Sequence, residues 1–506
     1  MPERNSNRSK AGEIDPILAS VLAQRLKAIT GEMGIALLRT SRSPILNEAR
    51  DFVTGLYDAK GRMLEQTEYI PVLAFALQPV CAHIAETFAG DIHEGDVILH
   101  NDVFSGGNQN NDLAAFRPIF HEGNLFAWAA VKGHQADMGG AVAGGYNPGA
   151  REVWQEAFRI PAVKVIEKGK RRRDVWNLIF ANVRLKTVEA DMEAQIGATR
   201  LGERGIHALL GRYGKAKLEA HLDYLFKATE RMVRAGISAI PDGTYHGQSH
   251  AFYDGVHDGS RMNIDLAVRV EGDGISFDFT GSAPQTEGFV NAPRASTASA
   301  VLLTFLMLID PAIPHNDGLT RAIEMNIPEG SFLNASFPAA TTFGNSLAGP
   351  TSDAIFRAFA DVLPDRVTAG WNRMLGCVLT GGDGTGERFV DILFLALKGG
   401  SGAMGGADGY DHIGLINCAG GILAQDYEMF ENHNPVTLKH HEYTPDSAGP
   451  GEWRGGLGVE TEILIHGREV AAIVFGDGVE EESRAFGLAG GGAGSLNHLR
   501  LTAPDG

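Results

Sequence analysis

The chain has 506 residues, 44% apolar and 21% charged, with 44 Lys and Arg against 62 Asp and Glu for a formal net charge of −18. That length exceeds what one hydrophobic core needs and predicts several domains, and the composition excludes a disordered or membrane-embedded chain. The acidic balance repels nucleic-acid phosphate and anionic lipid, so neither is an expected partner.

Residues 1–12 are polar, lack the apolar core of a secretory signal and read as a disordered tail. Asp15 then offers an N-cap and Pro16 a first helical position, and apolar residues recur at helical spacing from Ile17 to about Arg39. Residues 51–66 read as a hairpin around the turn from Asp58 to Gly61, followed by a helix over 72–87. Short strands are expected at 96–99, 117–120 and 125–131. The basic run 167–173 reads as a solvated turn, since charge runs are usually exposed. From 188 to 240 the period turns helical, broken at Gly214. Alternation returns over 262–281 around the turn from Gly272 to Gly274. Helices are expected at 297–308 and 351–360, and strands at 460–465 and 469–475. The longest apolar run, Ala298 to Ile309, is too short to span a bilayer and reads as a buried element.

Together these predict a multi-domain α+β fold of mixed and antiparallel sheets with a helical middle segment and Gly-rich loops. The expected units are a strand-rich N-terminal domain over 13–187, a helical segment over 188–240, an α+β middle domain over 241–370 and a Gly-rich, β-containing C-terminal domain over 371–506. The 64 glycines cluster at 139–149, 381–386, 399–409 and 487–494, where they suit turns and close backbone approach. Cys81, Cys377 and Cys418 are far apart and in no metal-ligand spacing, which fits a reduced, cytoplasmic protein.

Chemistry is most concentrated between His100 and Asp137, where HNDVFSGGNQNND and VKGHQADMGG place polar side chains at strand ends beside double glycines. Asp102, Gln109, Asp112, His134 and Asp137 are the candidates. A carboxylate and an imidazole on neighbouring strand ends can hold a divalent cation. The chain has no phosphate loop, no GxSxG elbow and no HExxH, so any ATP sits on another subunit.

Ordered motifs along almost the whole chain carry a resemblance. Among them are DPILASVLAQRLKAITGEMGIALLRTSRSPILNEARDF (15–52), GHQADMGG (133–140), NPGAREVWQEAFRIPAVKV (147–165), DPAIPHNDGL (310–319) and PDSAGPGEWRGGLG (445–458). They are similar to the hydantoinase B/oxoprolinase family, which supplies a large subunit of ATP-dependent hydantoinases, oxoprolinases, caprolactamases, and acetone and acetophenone carboxylases. The resemblance implies a metal site on Asp51 of RDF, Gln109 and Asp112 of NQNND, and His134 of GHQAD, with Asp51, Asp112, His134 and Asp137 as catalytic candidates. Gln109 stands where the family usually has His, and Gln135 replaces the second His of a pair. An amide oxygen is a weaker, harder ligand than imidazole, so of the implied cations (Mn, Zn or Mg) zinc is held less well while Mg or Mn survives. Such a site suits a reaction that must exclude water. The expected function is therefore a subunit of a biotin-independent, ATP-dependent ketone carboxylase of the acetophenone type. The alternatives are a subunit of a hydantoin, oxoproline or lactam hydrolase, and a non-catalytic scaffold. The expected partners are a hydantoinase A-like ATP-binding subunit and a small subunit in a hetero-oligomer.

Overall fold

Asp15 caps helix α1 (Pro16–Thr40) by accepting the Ile17 amide at 2.9 Å, as the sequence leads one to expect. The computed structural model describes residues 14–382 and 388–503, so the tail over 1–12 and part of the 381–386 glycine cluster lie outside the described residues. A short helix α2 (Pro44–Asn47) leads to the hairpin of β1 (Phe52–Asp58) and β2 (Met63–Glu68). In its turn the Asp58 carboxylate accepts the Lys60 and Arg62 amides at 2.9 Å. The helix expected over 72–87 is two, α3 (Pro71–Ala74) and α4 (Leu77–Thr87), broken at Phe75 and Ala76.

Strands β3 (Val97–His100), β4 (Asp112–His121), β5 (Asn124–His134), β6 (Val163–Glu167) and β7 (Lys170–Arg171) complete a seven-stranded antiparallel sheet of order β2-β1-β5-β4-β3-β6-β7. Strands β4 and β5 are longer than expected. Residues 112–118 and 126–134 are buried on both faces of the sheet, and a strand covered on both sides shows no polar alternation to mark its ends. The register sets Asp112 opposite His134 and Gly133 opposite Phe52. The basic run forms the β6–β7 turn and the start of α5 (Arg173–Ala181). Two of its three arginines are spent on local acids: Arg171 on Glu193, and Arg172 on Glu167 at 3.1 Å and Asp174 at 2.9 Å.

Helices α6 (Lys186–Tyr213) and α7 (Lys215–Ser238) break at Gly214, where φ is 77°. They do not stand apart as a unit. With α1 they cover one face of the sheet through a shared core that includes Leu22, Leu26, Leu56, Ile206 and Phe226. The second sheet, order β11-β10-β9-β8, comprises β8 (Gly243–Phe252), β9 (Arg261–Glu271), β10 (Gly274–Asp278) and β11 (Ile323–Asn326); β10 and β11 are parallel, the other pairs antiparallel. Strand β8 went unread because its central run, His246 to Ala251, holds none of the β-branched residues, Phe, Tyr or Trp that mark a strand. The apolar run is the buried helix α8 (Arg294–Ile309), which packs against α9 (Ala348–Phe359). One core runs from Ile45 to Phe475 and joins the two sheets.

The C-terminal part holds β12 (Leu375–Gly382), β13 (Arg388–Ile392), α10 (Tyr427–His433), β14 (Val436–Tyr443), β15 (Val459–Ile465) and β16 (Arg468–Gly476). The last two strands do not pair with each other: β16 joins β12, and β15 joins β14. Here glycine clusters lay backbone directly on backbone. A Cβ on Gly400 would stand 2.0 Å from the Gly456 carbonyl oxygen, and one on Gly456 2.1 Å from that of Tyr410.

Candidate active site

Because β4 and β5 pair Asp112 with His134, the imidazole Nδ1 meets Asp112 Oδ1 at 2.7 Å. A carboxylate only accepts, so Nδ1 carries the proton, and Nε2 has a free lone pair whenever the ring is neutral. That Nε2 is buried and has no hydrogen-bond partner. Asp112 Oδ2 accepts the Asn108 amide at 2.5 Å, and Asn108 Oδ1 in turn accepts from Lys132 Nζ. A loop from the middle of the chain closes over this hairpin. Asn345 donates to Gln109 Oε1 at 3.1 Å, and Gln109 Nε2 donates to the Thr342 carbonyl at 3.0 Å. The loop itself is anchored by the buried Glu156 carboxylate, which accepts the Thr341 and Thr342 amides at 2.7–3.0 Å.

Asp51 sits at the entry to β1, where its carbonyl accepts the His134 amide at 3.0 Å. Its Oδ1 is buried without a partner. Burial pushes the Asp51 carboxyl up to about 7, the Asp112 charge adding to the shift and His134 opposing it. For His134 burial favours the neutral ring, but the hydrogen bond and charge of Asp112, with the charge of Asp51, outweigh it and hold the pKa above the ordinary histidine value. Burial lowers Lys132 to about 8 against the pull of Asp112. Cys418 is held far above an ordinary thiol by burial and by the Asp51 charge, so it is no nucleophile at neutral pH. Tyr146 lies 6.2 Å from the His134 ring and stacks on Phe475 at 4.3 Å.

Two sequence candidates lie apart from this pair. Asp137 accepts Arg184 Nη1 at 2.9 Å, the Arg184 amide at 2.8 Å and the Gly139 and Gly144 amides, so it clasps the glycine loop. Asp102 is taken by Arg159 Nε at 2.9 Å and Ser105 Oγ at 2.8 Å. Gln135 points away from Gln109 and donates to Gln195 Oε1 at 3.1 Å. Asn108, Lys132, Glu156 and Asn345 join the site unpredicted; the amide run around Asn108 was a signal, whereas Asn345 is joined to Gln109 across 236 residues of sequence.

Asp51 Oδ1 and His134 Nε2 are open donors to a cation. Asp112 spends both oxygens on His134 and Asn108, and Gln109 spends its oxygen on Asn345. Among the described residues no three His, Cys, Asp or Glu side chains are grouped to hold a metal ion. Two open donors fall short of the set a resident cation needs, so the residues as placed do not fit one.

Arg50, just before Asp51, has φ 60°, a left-handed conformation that costs a side chain about 1–2 kcal/mol. Thermal melts are expected to show Arg50→Gly at or above the parent and Arg50→Val below it. Equal melting of the two would mean that the backbone at Arg50 stores no strain.

The family model for hydantoinase B/oxoprolinase matches residues 15–505. The chain belongs to the hydantoinase B/oxoprolinase family. It is 34% identical over 474 residues to the caprolactamase subunit beta of Pseudomonas jessenii, covering 92% of this chain and 81% of that one. The crystal structure of the ATP-dependent caprolactamase from the same organism superposes with a TM-score of 0.87 at 33% identity, over 93% of this chain and 82% of that one. A nucleotide-free acetone carboxylase shares the fold at TM-score 0.90 and 21% identity, over 96% of this chain and 66% of that one. Members of this hydantoinase B/oxoprolinase group are enzyme subunits, and the present chain is one. No helix among the described residues is long and apolar enough to cross a membrane.

Proposed function

We propose that this chain is the water-activating subunit of an ATP-dependent complex that opens cyclic amides of the lactam and hydantoin class. The observation that carries the reading is the open Nε2 of His134, oriented by Asp112 through Nδ1 and buried beside Asp51. Under the carboxylase reading, water activation needs a well-held cation. An Asp–His pair with a free Nε2 supplies a general base without one. In the proposed reaction a hydantoinase A-like partner, assisted by a small subunit, spends ATP to phosphorylate the amide oxygen. Water adds to the activated carbon and gives its proton to His134 Nε2. The carbon–nitrogen bond breaks as Asp51, poised near pH 7, passes a proton to the departing amine, and a second water hydrolyses the acyl phosphate that remains, releasing phosphate and the carboxylate.

A second reading, the ketone carboxylase, is favoured by Gln109 and Gln135 standing in place of imidazoles. There Nε2 takes the α-proton of a ketone and the enolate attacks activated bicarbonate. One experiment separates the two: the purified complex is given ATP with caprolactam, hydantoin or 5-oxoproline, and in parallel with acetone or acetophenone plus ¹³C-bicarbonate. ADP formation matched by ring-opened product is the expected result. ATP-dependent ¹³C fixation without ring opening overturns the first reading and installs the second.

A further inference from the structure

Helix α1 has a second uncharged face opposite its buried one. The buried face, with Leu22, Leu26, Met33 and Leu37, packs into the core. At 100° per residue, positions 17, 21, 24, 28, 31 and 35 lie about 180° from it, where a surface helix ordinarily carries charge. They are Ile17, Val21, Gln24, Ala28, Gly31 and Ile35, spaced 4-3-4-3-4 as in the seam of a coiled coil. Ile17 is 77% exposed, Ile35 47% and Val21 41%, and a Cβ built on Gly31 would meet nothing within 4 Å. The stripe runs about 27 Å at 1.5 Å per residue. Its one polar member is Gln24, and a single polar side chain in such a seam fixes register and partner at some cost in stability. Ala28 and Gly31 are small, so another backbone could come close there.

Beside the C-terminal half of the helix a groove of about 910 Å³ opens between Ala36 and Thr40 of α1 and Ala190, Gly197 and Leu201 of α6. The rim is basic in an acidic chain. α1 carries Arg25, Lys27 and Arg39 against Glu32 alone, and the groove adds Arg42, Arg200 and Arg204. None of these six cations makes a salt bridge among the described residues. The groove's two acids are already engaged, Glu193 by Arg171 and Glu203 by Arg117 at 3.7 Å.

We infer that the outer face of α1 and the α1–α6 groove receive an amphipathic helix of a partner subunit, with apolar side chains on a seven-residue repeat and Asp or Glu on its flanks. A second copy of this chain is the wrong occupant. The stripe is symmetric about position 26, so antiparallel self-pairing would set Arg25 against Arg25 and Lys27 against Lys27. It would also leave each Gln24 amide facing the methyl of Ala28. The inference rests on the chain being one subunit of a complex and not on the reaction, so it is tested on assembly and not on turnover.

The three native cysteines are buried, so Ala28→Cys gives a single exposed thiol. The assembled complex carrying it is labelled with a maleimide–benzophenone, irradiated, and its cross-linked peptides read by mass spectrometry. A cross-link to a heptad-patterned, acid-flanked segment of another subunit is expected. A link to a second copy, a link to residues 1–13 of the same chain, or a thiol that reacts fully and links to nothing overturns the inference. Arg200→Glu with Arg204→Glu, which leaves the core untouched, is expected to weaken assembly by about tenfold or more with unchanged circular dichroism. Assembly unaffected by that charge reversal also counts against it.

Discussion

Turnover of the assembled complex is expected to fall by about 10³-fold in His134→Ala, within the range for loss of a positioned acid–base group. The imidazole presents an open, buried nitrogen and is held in place by the Asp112 side chain. Asp112→Asn tests the orientation separately. Asp112 raises the His134 pKa by its hydrogen bond and its charge, so the amide variant lowers it. The working form is the neutral ring, present above its pKa and lost as pH falls through it. The acid limb of the pH–rate profile should therefore move to lower pH in Asp112→Asn while the plateau drops. Asp51 titrates near the same range, so the limb in the parent belongs to the pair and not to one residue. Size-exclusion chromatography checks that the variants still assemble. Misfolding of both, or a limb that stays in place in Asp112→Asn, would falsify the base assignment.

Gly456→Ala is expected to cost the protein about 3 kcal/mol or more, beyond the usual range for an overpacked site. The new Cβ would meet the Tyr410 carbonyl oxygen at 2.1 Å and Gly400 Cα at 2.8 Å, and both are backbone atoms with no side chain to swing aside. The surrounding amides are tied, Gly456 to the Ser401 carbonyl at 2.9 Å and Ser401 to that of Tyr410 at 2.9 Å, so the segments of the cluster cannot part cheaply. Gly90→Ala is the control. Its φ is 81° but nothing lies within 4 Å of the added methyl, so only the backbone cost of about 1–2 kcal/mol applies. Chemical denaturation of the two variants side by side reads the difference. Equal midpoints would mean that the glycines act through conformation alone and not through close packing.

What was legible in the sequence was local. The cap at Asp15, the break at Gly214 and the turn at Gly272 announce themselves because each depends on residues within a few positions. The pairing of Asp112 with His134 was readable as two strand ends joined by a hairpin. The fate of Asp137 was not, since Arg184 arrives from 47 residues away and fills its oxygens. Nor was Lys132, whose charge argues for a surface position until Asn108 and Asp112 are placed around it. The setting of Gln109 was hidden for a similar reason. The residue type was read against a ligand role, while in the fold its amide is a clamp between Thr342 and Asn345.

That clamp has a bearing on how the protein is born. Asp112 and His134 are 22 residues apart and can pair as soon as the β4–β5 hairpin leaves the ribosome. Gln109 must wait for Thr342, 233 residues later, which at about 5–20 residues per second is roughly 10–50 s of synthesis. A nascent or prematurely ended chain thus carries the Asp112–His134 pair before the loop that frames it exists. The order of translation makes the frame the last part to arrive, so only a chain made at least through Asn345 holds a finished site.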